Sequence, residues 1–172
     1  MDINNLFILL LLVALSGVSG LVLACLPTQK IRRWWLARKR PQETCIILYL
    51  MAPPKQPYRG YELWQALTAA QLEYGEMKIF HYFFQTPTGP QHLFSVSSAV
   101  EPGYFDLADI GAICCPGLCL FMQIQSTANP RLAFNRLLET AKQLAQELGG
   151  TLCDTRQQLF TEATRLSYEV KL

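Results

Sequence analysis

The longest hydrophobic stretch of the chain lies at its N-terminus. No charged side chain occurs from Ile3 to Gln29, and the segment from Leu6 to Leu26 is almost wholly apolar. About 20 apolar residues at about 1.5 Å of rise each can cross a hydrocarbon core of about 30 Å. The pattern therefore predicts a single transmembrane helix over residues 6–26, preceded by a short external N-terminus of residues 1–5.

A cleaved signal peptide is the alternative interpretation of this stretch. Such peptides begin with positive charge and carry an apolar region of about 7–15 residues. Here the first residues carry Asp2 in place of a cation, and the apolar run is longer. We therefore expect a retained membrane anchor.

A short basic linker over residues 27–43 follows the predicted span. Because Lys and Arg remain on the cytoplasmic side, the N-terminus is expected outside and the rest of the chain in the cytoplasm. The same cations predict contact with anionic headgroups of the membrane lipids. These membrane-flanking residues are Lys30, Arg32, Arg33, Arg38, Lys39 and Arg40.

Beyond the linker, residues 44–172 show short runs of alternating and helical periodicity. Alternation and turn residues predict strands over residues 44–51, 77–84, 93–100, 118–124 and 151–154. Helical spacing predicts helices over residues 60–72, from Pro130 to the Gly149-Gly150 pair, and from Thr161 onward, with a short irregular piece at 106–110. The order indicates an α+β fold, a split βαβ arrangement with a mainly antiparallel sheet and helices on one face.

The predicted sheet has two apolar faces. One face of the strands carries large side chains such as Ile46, Leu48 and Phe94 and suits packing against helices. An uncovered sheet face is usually polar, so a second apolar face with small residues at its middle predicts a groove that binds another chain. The alternative is that helices cover both faces. The second face comprises Cys45, Ile47, Tyr49, Met77, Ile79, His81, Phe83, Ser95, Ser97, Ala99, Cys119, Phe121 and Gln123.

Composition argues against a nucleic-acid partner. The 172 residues include 16% charged side chains and a net charge of only +2, so no basic field covers the whole protein. A split βαβ sheet also occurs in RNA-binding domains, but the basic-aromatic motif of those domains is missing from this sequence.

The cysteines and histidines do not form a pattern typical of catalysis. Cys114, Cys115 and Cys119 have poor spacing for a zinc site, and a reducing compartment argues against disulfides. His81 and His92 lack a partner at a spacing that would indicate a triad or a general base. We therefore predict a protein that is not an enzyme and that uses no metal, cofactor or small-molecule substrate.

An ordered series of short motifs resembles the C-terminal domain of the ZipA family of bacterial division proteins. The resemblance runs from about Thr44 to the C-terminus. The motifs are Gly75-Glu76-Met77-x-Ile79-x-His81, Leu93-Phe94-Ser95, Pro102-Gly103-x-Phe105-Asp106, Pro116-Gly117 and Phe121-Met122-Gln123.

The resemblance implies a tether for FtsZ filaments at the inner membrane, which stabilises the division ring. The FtsZ C-terminal tail would bind in the groove on the exposed sheet face, with Glu101 and Gln157 on its rim. The groove positions that the resemblance implies all lie on the second face: Cys45, Ile47, Met77, Ile79, Ser97, Ala99, Cys119 and Phe121. An adaptor for a different amphipathic peptide and an unrecognised membrane-associated enzyme are the alternatives.

The chain departs from the family pattern at the rim and in the linker. Glu101 and Gln157 stand where the family often has basic residues, so rim electrostatics would differ. Such a change affects association rate and salt dependence more than apolar contact. The linker is also far shorter than is typical of the family, which limits the reach of the domain.

Overall fold

The computed structural model describes residues 45–172, which form one compact unit. The predicted N-terminus, transmembrane helix and basic linker lie outside the described residues. No helix within residues 45–172 has the length and hydrophobicity needed to span a membrane. The strands and helices, in chain order, are β1 (Cys45–Met51), β2 (Tyr58–Arg59), α1 (Gly60–Ala69), β3 (Leu72–Tyr74), β4 (Phe80–Thr86), β5 (Gly89–Ser98), β6 (Cys114–Cys115), β7 (Gly117–Gln123), α2 (Pro130–Leu148), β8 (Thr151–Cys153) and α3 (Glu162–Glu169).

The main sheet has six strands in the order β3-β4-β5-β7-β1-β8, and each neighbouring pair is antiparallel. Strands β7 and β8 both run antiparallel to β1, which lies between them, and α2 connects them. They are therefore parallel to each other across one intervening strand. The predicted α+β class with an antiparallel sheet is confirmed. Strands β2 and β6 form a separate two-stranded ribbon.

One side of the sheet packs against α1 and α2. The inward side chains of β1 and β7 alternate with half-buried ones, as the period of two requires. The helices contribute Leu63 and Leu67 from α1, and Phe134 and Leu137 from α2, to the same core. The sheet contributes Ile46, Leu48, Leu50, Phe80, Phe94, Val96, Leu118, Leu120 and Met122.

The ends of α2 follow the predicted signals. The Asn129 side-chain oxygen accepts a hydrogen bond from the backbone N–H of Leu132 at 3.1 Å, which caps the first turn, and Pro130 occupies the first helical position. The helix ends at Gly149, whose φ of 72° lies in the left-handed region. The Tyr58 hydroxyl donates a hydrogen bond to the Gly149 carbonyl at 2.7 Å, which joins this end of α2 to β2.

Three short strands were not predicted, and several predicted boundaries are wrong, among them the start of β5, which lies at Gly89 and not at Leu93. Strands β2, β3 and β6 have only two or three residues each, too few for alternation to be visible. Helix α1 ends at Ala69, before Gln71 with its positive φ of 62°, and β3 begins at Leu72, inside the predicted helix. The second predicted strand begins at Phe80 and not at Met77, because Glu76–Lys78 forms a 3-10 turn.

Helix α3 occupies the edge of β1 that short β8 leaves unpaired. Strand β8 pairs only with Tyr49, Leu50 and Met51 of β1. Farther along that edge, the Tyr168 hydroxyl of α3 donates to the Ile47 carbonyl at 3.4 Å, and its ring lies edge-on to Phe134. The helix therefore packs beside the sheet and leaves the side chain of Ile47 half-buried.

We expect replacement of Gly150 by alanine to destabilise the fold strongly. Gly150 has a φ of +110°, and an added Cβ would overlap the Tyr58 hydroxyl and the Met51 carbonyl. Left-handed backbone strain and overpacking together predict a loss of about 3 kcal/mol or more. Urea unfolding of the full chain, monitored by circular dichroism, measures this loss in the free energy of unfolding.

The matched control is Gly89→Ala. Gly89 has a similar φ of +120°, but the space around its added Cβ is open. Backbone strain alone predicts a loss of about 1–2 kcal/mol. Equal losses for the two variants would show that the packing of Gly150 against β1 and β2 contributes nothing.

Candidate functional site

The side of the sheet opposite the two packed helices forms the candidate site. Along β1 and β7, the side chains that alternate with the core residues are half-buried and not covered by α1 or α2. We call this surface the outward face. It comprises Cys45, Ile47, Tyr49, Ser95, Ser97, Cys119 and Phe121.

Strand register brings one line of side chains across five strands. Ile47 pairs with Phe121, Phe121 with Ser95, and Ser95 with His81. His81 in turn pairs with Glu73 of edge strand β3. Side chains directly opposite each other on one face have Cβ atoms about 4.5–5.5 Å apart, so the line runs from an apolar end at Ile47 to an acidic end at Glu73.

A second line of smaller side chains lies beside the first. Ser97 pairs with Cys119, and Cys119 with Tyr49. Ala99 extends the ladder beyond β5, because its N–H donates to the Gly117 carbonyl at 2.9 Å. The structure therefore places five predicted site residues from three strands on one surface: Cys45, Ile47, Ser97, Cys119 and Phe121.

The side chains of Met77 and Ile79 do not lie together on the groove face, although alternation predicts that they do. Alternation in a strand from Met77 onward would place both on the groove face. In the structure Met77 has a φ of 57° within the 3-10 turn and is 72% exposed, whereas Ile79 is only 4% exposed. The turn therefore presents Met77 to solvent at the margin of the outward face, and Ile79 offers little surface for contact.

The two predicted rim residues lie on turns outside the sheet. Glu101 is exposed in the turn after β5, where the Gly103 N–H donates to the Val100 carbonyl at 2.8 Å. Gln157 is exposed in the turn after β8 with a φ of 58°. Neither side chain makes a hydrogen bond or a salt bridge to the outward face in the described part of the chain.

A cavity of about 570 Å³ opens at the acidic end of the outward face. Strands β3, β4, β5 and β7 and the turn before β4 form its walls. Its lining includes Glu73, Glu76, Met77, His81, Phe83, His92, Ser95 and Phe121. Phe121 belongs to both the cavity and the outward face, so the two form one continuous surface. Alternation predicts His81, Phe83 and Ser95 on this face, whereas Glu73, Glu76 and His92 were not predicted there.

A β-bulge aims His92 into the cavity. Simple alternation would put His92 on the same side as Phe94, towards the core. The register of β4 and β5 shifts between Tyr82 and Phe83, and Leu93 and Phe94 both face inward, at 1% and 0% exposure. The extra residue reverses the side chains that precede it, and so His92 shares a face with Ser95.

His81, Ser95 and His92 form a hydrogen-bonded chain. The Ser95 oxygen lies 3.0 Å from His81 Nδ1 and 2.9 Å from His92 Nε2, and His81 Nε2 lies 3.0 Å from the Glu76 carbonyl. A carbonyl only accepts, so His81 Nε2 carries a proton. In the neutral pair, Ser95 then donates to His81 Nδ1 and accepts from His92 Nε2. Every proton in this chain has a partner.

The environment keeps His92 uncharged near neutral pH. Desolvation lowers the pKa of His92 below its usual value, although the residue is largely exposed, and the nearby His81 charge lowers it further. A backbone hydrogen bond with Phe94 offsets part of this decrease in pKa. His92 therefore gains its positive charge at a lower pH than an ordinary histidine does.

We expect the His92 imidazole to titrate below the ordinary histidine pKa of about 6.5. His81→Gln removes the neighbouring charge and should raise the pKa of His92. The measurement is a pH titration of the imidazole carbon-bound protons by NMR, in the full chain and in the variant. An unchanged pKa in His81→Gln would show that the two rings do not interact.

The cysteines on the outward face are poor nucleophiles. Burial raises the pKa of the Cys45 and Cys119 thiols, so both remain protonated at neutral pH. The five cysteines of the described region are free. No group of three potential ligands among its His, Cys, Asp and Glu residues is arranged to hold a metal ion. The face therefore offers surface for packing and hydrogen bonding.

Comparison with known proteins matches the described unit to one family. A family model described as "ZipA, C-terminal FtsZ-binding domain" matches residues 44–170. A cell division protein ZipA from Actinobacillus pleuropneumoniae serotype 7 (strain AP76) is 37% identical over 136 residues, which cover 77% of this chain and 40% of that protein.

Relatives from other bacteria give the same result at lower identity. Two further relatives are named cell division protein ZipA. The protein from Glaesserella parasuis serovar 5 (strain SH0165) is 31% identical over 131 residues, and the protein from Stutzerimonas stutzeri (strain A1501) is 31% identical over 132 residues. These alignments cover 76% and 77% of this chain and 48% of each relative. The match therefore spans less than half the length of these curated relatives.

Proposed function

The chain belongs to the family of the ZipA C-terminal FtsZ-binding domain, and from that membership we propose that it binds the C-terminal tail of FtsZ on its outward face. The observation that carries the proposal is the half-buried Ile47–Phe121 pair, which lies on the side of the sheet that α1 and α2 leave uncovered. Apolar surface of this kind marks an interaction site.

The proposed mode of binding is an amphipathic segment laid across the strands. Phe121 and Ile47 supply the apolar contact area, and Met77 adds an adaptable side chain at the margin. Ser97, Ala99 and Cys119 are small and leave room for the side chains of the ligand. Ile79 is too deeply buried to contribute much area. Glu101 acts on the flanks of the segment through its charge and Gln157 through hydrogen bonding, and neither acts through packing.

A short segment on a shallow face binds weakly. We expect a Kd in the micromolar range, about −8 kcal/mol. An FtsZ filament presents many tails, and a membrane holds many copies of this chain, so repeated weak contacts give strong attachment overall. The binding face itself therefore does not require high affinity for the protein to function as a tether.

The membrane part of the proposal rests on the sequence. We propose that residues 6–26 anchor the chain in the bacterial inner membrane as a single-pass protein, with a periplasmic N-terminus and a cytoplasmic domain at the division site. The basic linker, from Lys30 to Arg40, contacts anionic lipid headgroups. The chain then works as an adaptor that brings FtsZ filaments to the membrane and stabilises the division ring, and it has no catalytic role.

A second candidate partner is a different amphipathic peptide. The rim supports this alternative, because Glu101 and Gln157 stand where the family often has basic residues. A changed rim charge alters which flanking residues a ligand tolerates. A competition experiment, in which other candidate peptides displace the FtsZ tail from the outward face, distinguishes the two candidate partners.

We expect Phe121→Ala to weaken binding of a labelled FtsZ tail peptide by about 10- to 100-fold. Truncation of a central aromatic anchor typically costs more than 1 kcal/mol of binding free energy. Fluorescence anisotropy with the full chain in detergent micelles measures the Kd. Lack of saturable binding to the unmodified chain would reject the proposal.

The control variant for this experiment is Leu166→Ala. Leu166 is also a large apolar residue, 54% exposed, but it lies on α3. Its truncation should leave the Kd unchanged. Circular dichroism of both variants shows whether the fold is intact. Equal Kd values for Phe121→Ala and Leu166→Ala would show that the outward face is not the binding surface.

Recruitment of filaments should depend on the anchor. We expect FtsZ filaments to sediment with liposomes that carry the full chain, and not with liposomes mixed with a chain that lacks residues 6–26. Phe121→Ala in the anchored chain should reduce recruitment while leaving the chain in the liposomes. Equal sedimentation with and without residues 6–26 would contradict the proposed anchor.

A further inference from the structure

We infer that the outward face continues into the cavity at its acidic end, and that the cavity receives a basic side chain of the segment bound at Phe121. This inference rests on the proposed function and specifies the chemistry of the partner. The segment that fits carries its apolar anchor and an arginine or lysine within about four residues of each other.

Charge complementarity supports a cation in this cavity. The carboxylates of Glu73 and Glu76 line it, and no Lys or Arg of the described region does. Within that region neither carboxylate is engaged in a salt bridge, and the nearby Lys78 instead pairs with Asp106 at 3.4 Å. The cavity therefore presents negative charge that the described part of the chain does not neutralise.

The walls of the cavity suit a guanidinium group better than an ammonium group. Phe83 and Phe121 offer aromatic surface, and Met77 adds a polarizable side chain. A guanidinium stacks on aromatic rings and donates in a planar fork to carboxylates, whereas an ammonium is compact and strongly hydrated. Ser95 and the two histidines are already hydrogen-bonded to one another, so they form a polar floor that needs no further partner.

The distances along the sheet set the spacing of the ligand. Phe121 and Glu73 belong to strands separated by three strand spacings, which is about 14 Å. Four extended residues span about 13 Å, and a single helical turn with a long side chain reaches about as far. A segment seated on Phe121 therefore brings a nearby basic side chain to the Glu73 end of the cavity.

The test uses N-acetyl-arginine amide as a probe of the cavity. The full chain in detergent micelles is titrated with this probe, and the imidazole signals of His81 and His92 are followed by NMR. We expect saturable shifts at millimolar concentration. N-acetyl-citrulline amide has nearly the same shape without the charge and should cause no such shifts. Equal responses to the two probes, or no response to arginine, would overturn the inference.

Variants identify the groups that hold the cation. The double variant Glu73→Gln, Glu76→Gln should abolish the response to the arginine probe. The matched control is Glu62→Gln, because Glu62 is an exposed carboxylate on α1 and lines no part of this cavity. A full response in the double variant would exclude the two carboxylates and overturn the inference.

The FtsZ tail separates failure of this inference from failure of the proposed function. Suppose that the tail peptide binds and that Phe121→Ala weakens this binding. Replacement of a basic residue near the apolar anchor of the peptide by glutamine should then weaken binding about three- to fivefold, the effect of an exposed ion pair. The double carboxylate variant should remove this difference. If the difference persists, only the cavity assignment fails. If arginine binds the cavity and the tail does not bind at all, only the FtsZ assignment fails.

Discussion

The pairing of β1 with β7 is the constraint on which the rest of the structure depends. Its register puts Ile47 opposite Phe121 and Leu48 opposite Leu120. Because side chains alternate with a period of two, a shift of β1 by one residue would turn Ile47 into the core and expose Leu48. The large inward residues fit the space under α2, whereas Ser97 and Cys119 are too small to fill it. Packing against the helix therefore selects the register, and the register selects which side chains form the outward face.

The sequence was sufficient to predict the parts of the fold in which periodicity is undisturbed. Alternation assigned the two faces of β1 and β7 correctly, and Asn129 and Gly149 marked the ends of α2. The predictions failed where the backbone leaves regular geometry. The positive φ of Met77 begins a turn that no residue type signals, since left-handed conformations usually favour Gly or Asn. Strands of two or three residues leave no periodic trace.

The cavity shows why a site can be missed although each of its residues is visible in the sequence. His92 reaches the cavity because a bulge in β5 reverses its side chain, and Glu73 reaches it because edge strand β3 pairs with β4. A bulge is a tertiary feature that depends on the partner strand. Neither contact has a local signature. By contrast, Ile47, Ser97 and Phe121 were predictable, because each lies in an uninterrupted strand of the sheet.

In the proposed mode of binding, the two ends of the outward face contribute differently to recognition. The apolar end at Ile47 and Phe121 would supply most of the free energy, through burial of area that shows little dependence on salt. The acidic end at Glu73 would add little affinity at an exposed site, but it would distinguish ligands by charge and orient them across the strands. Because Phe121 lines both the outward face and the cavity, a ligand that satisfies the cavity would be brought into register with the apolar pair. Direction along the sheet would thereby be specified by charge, and not by the apolar contact alone.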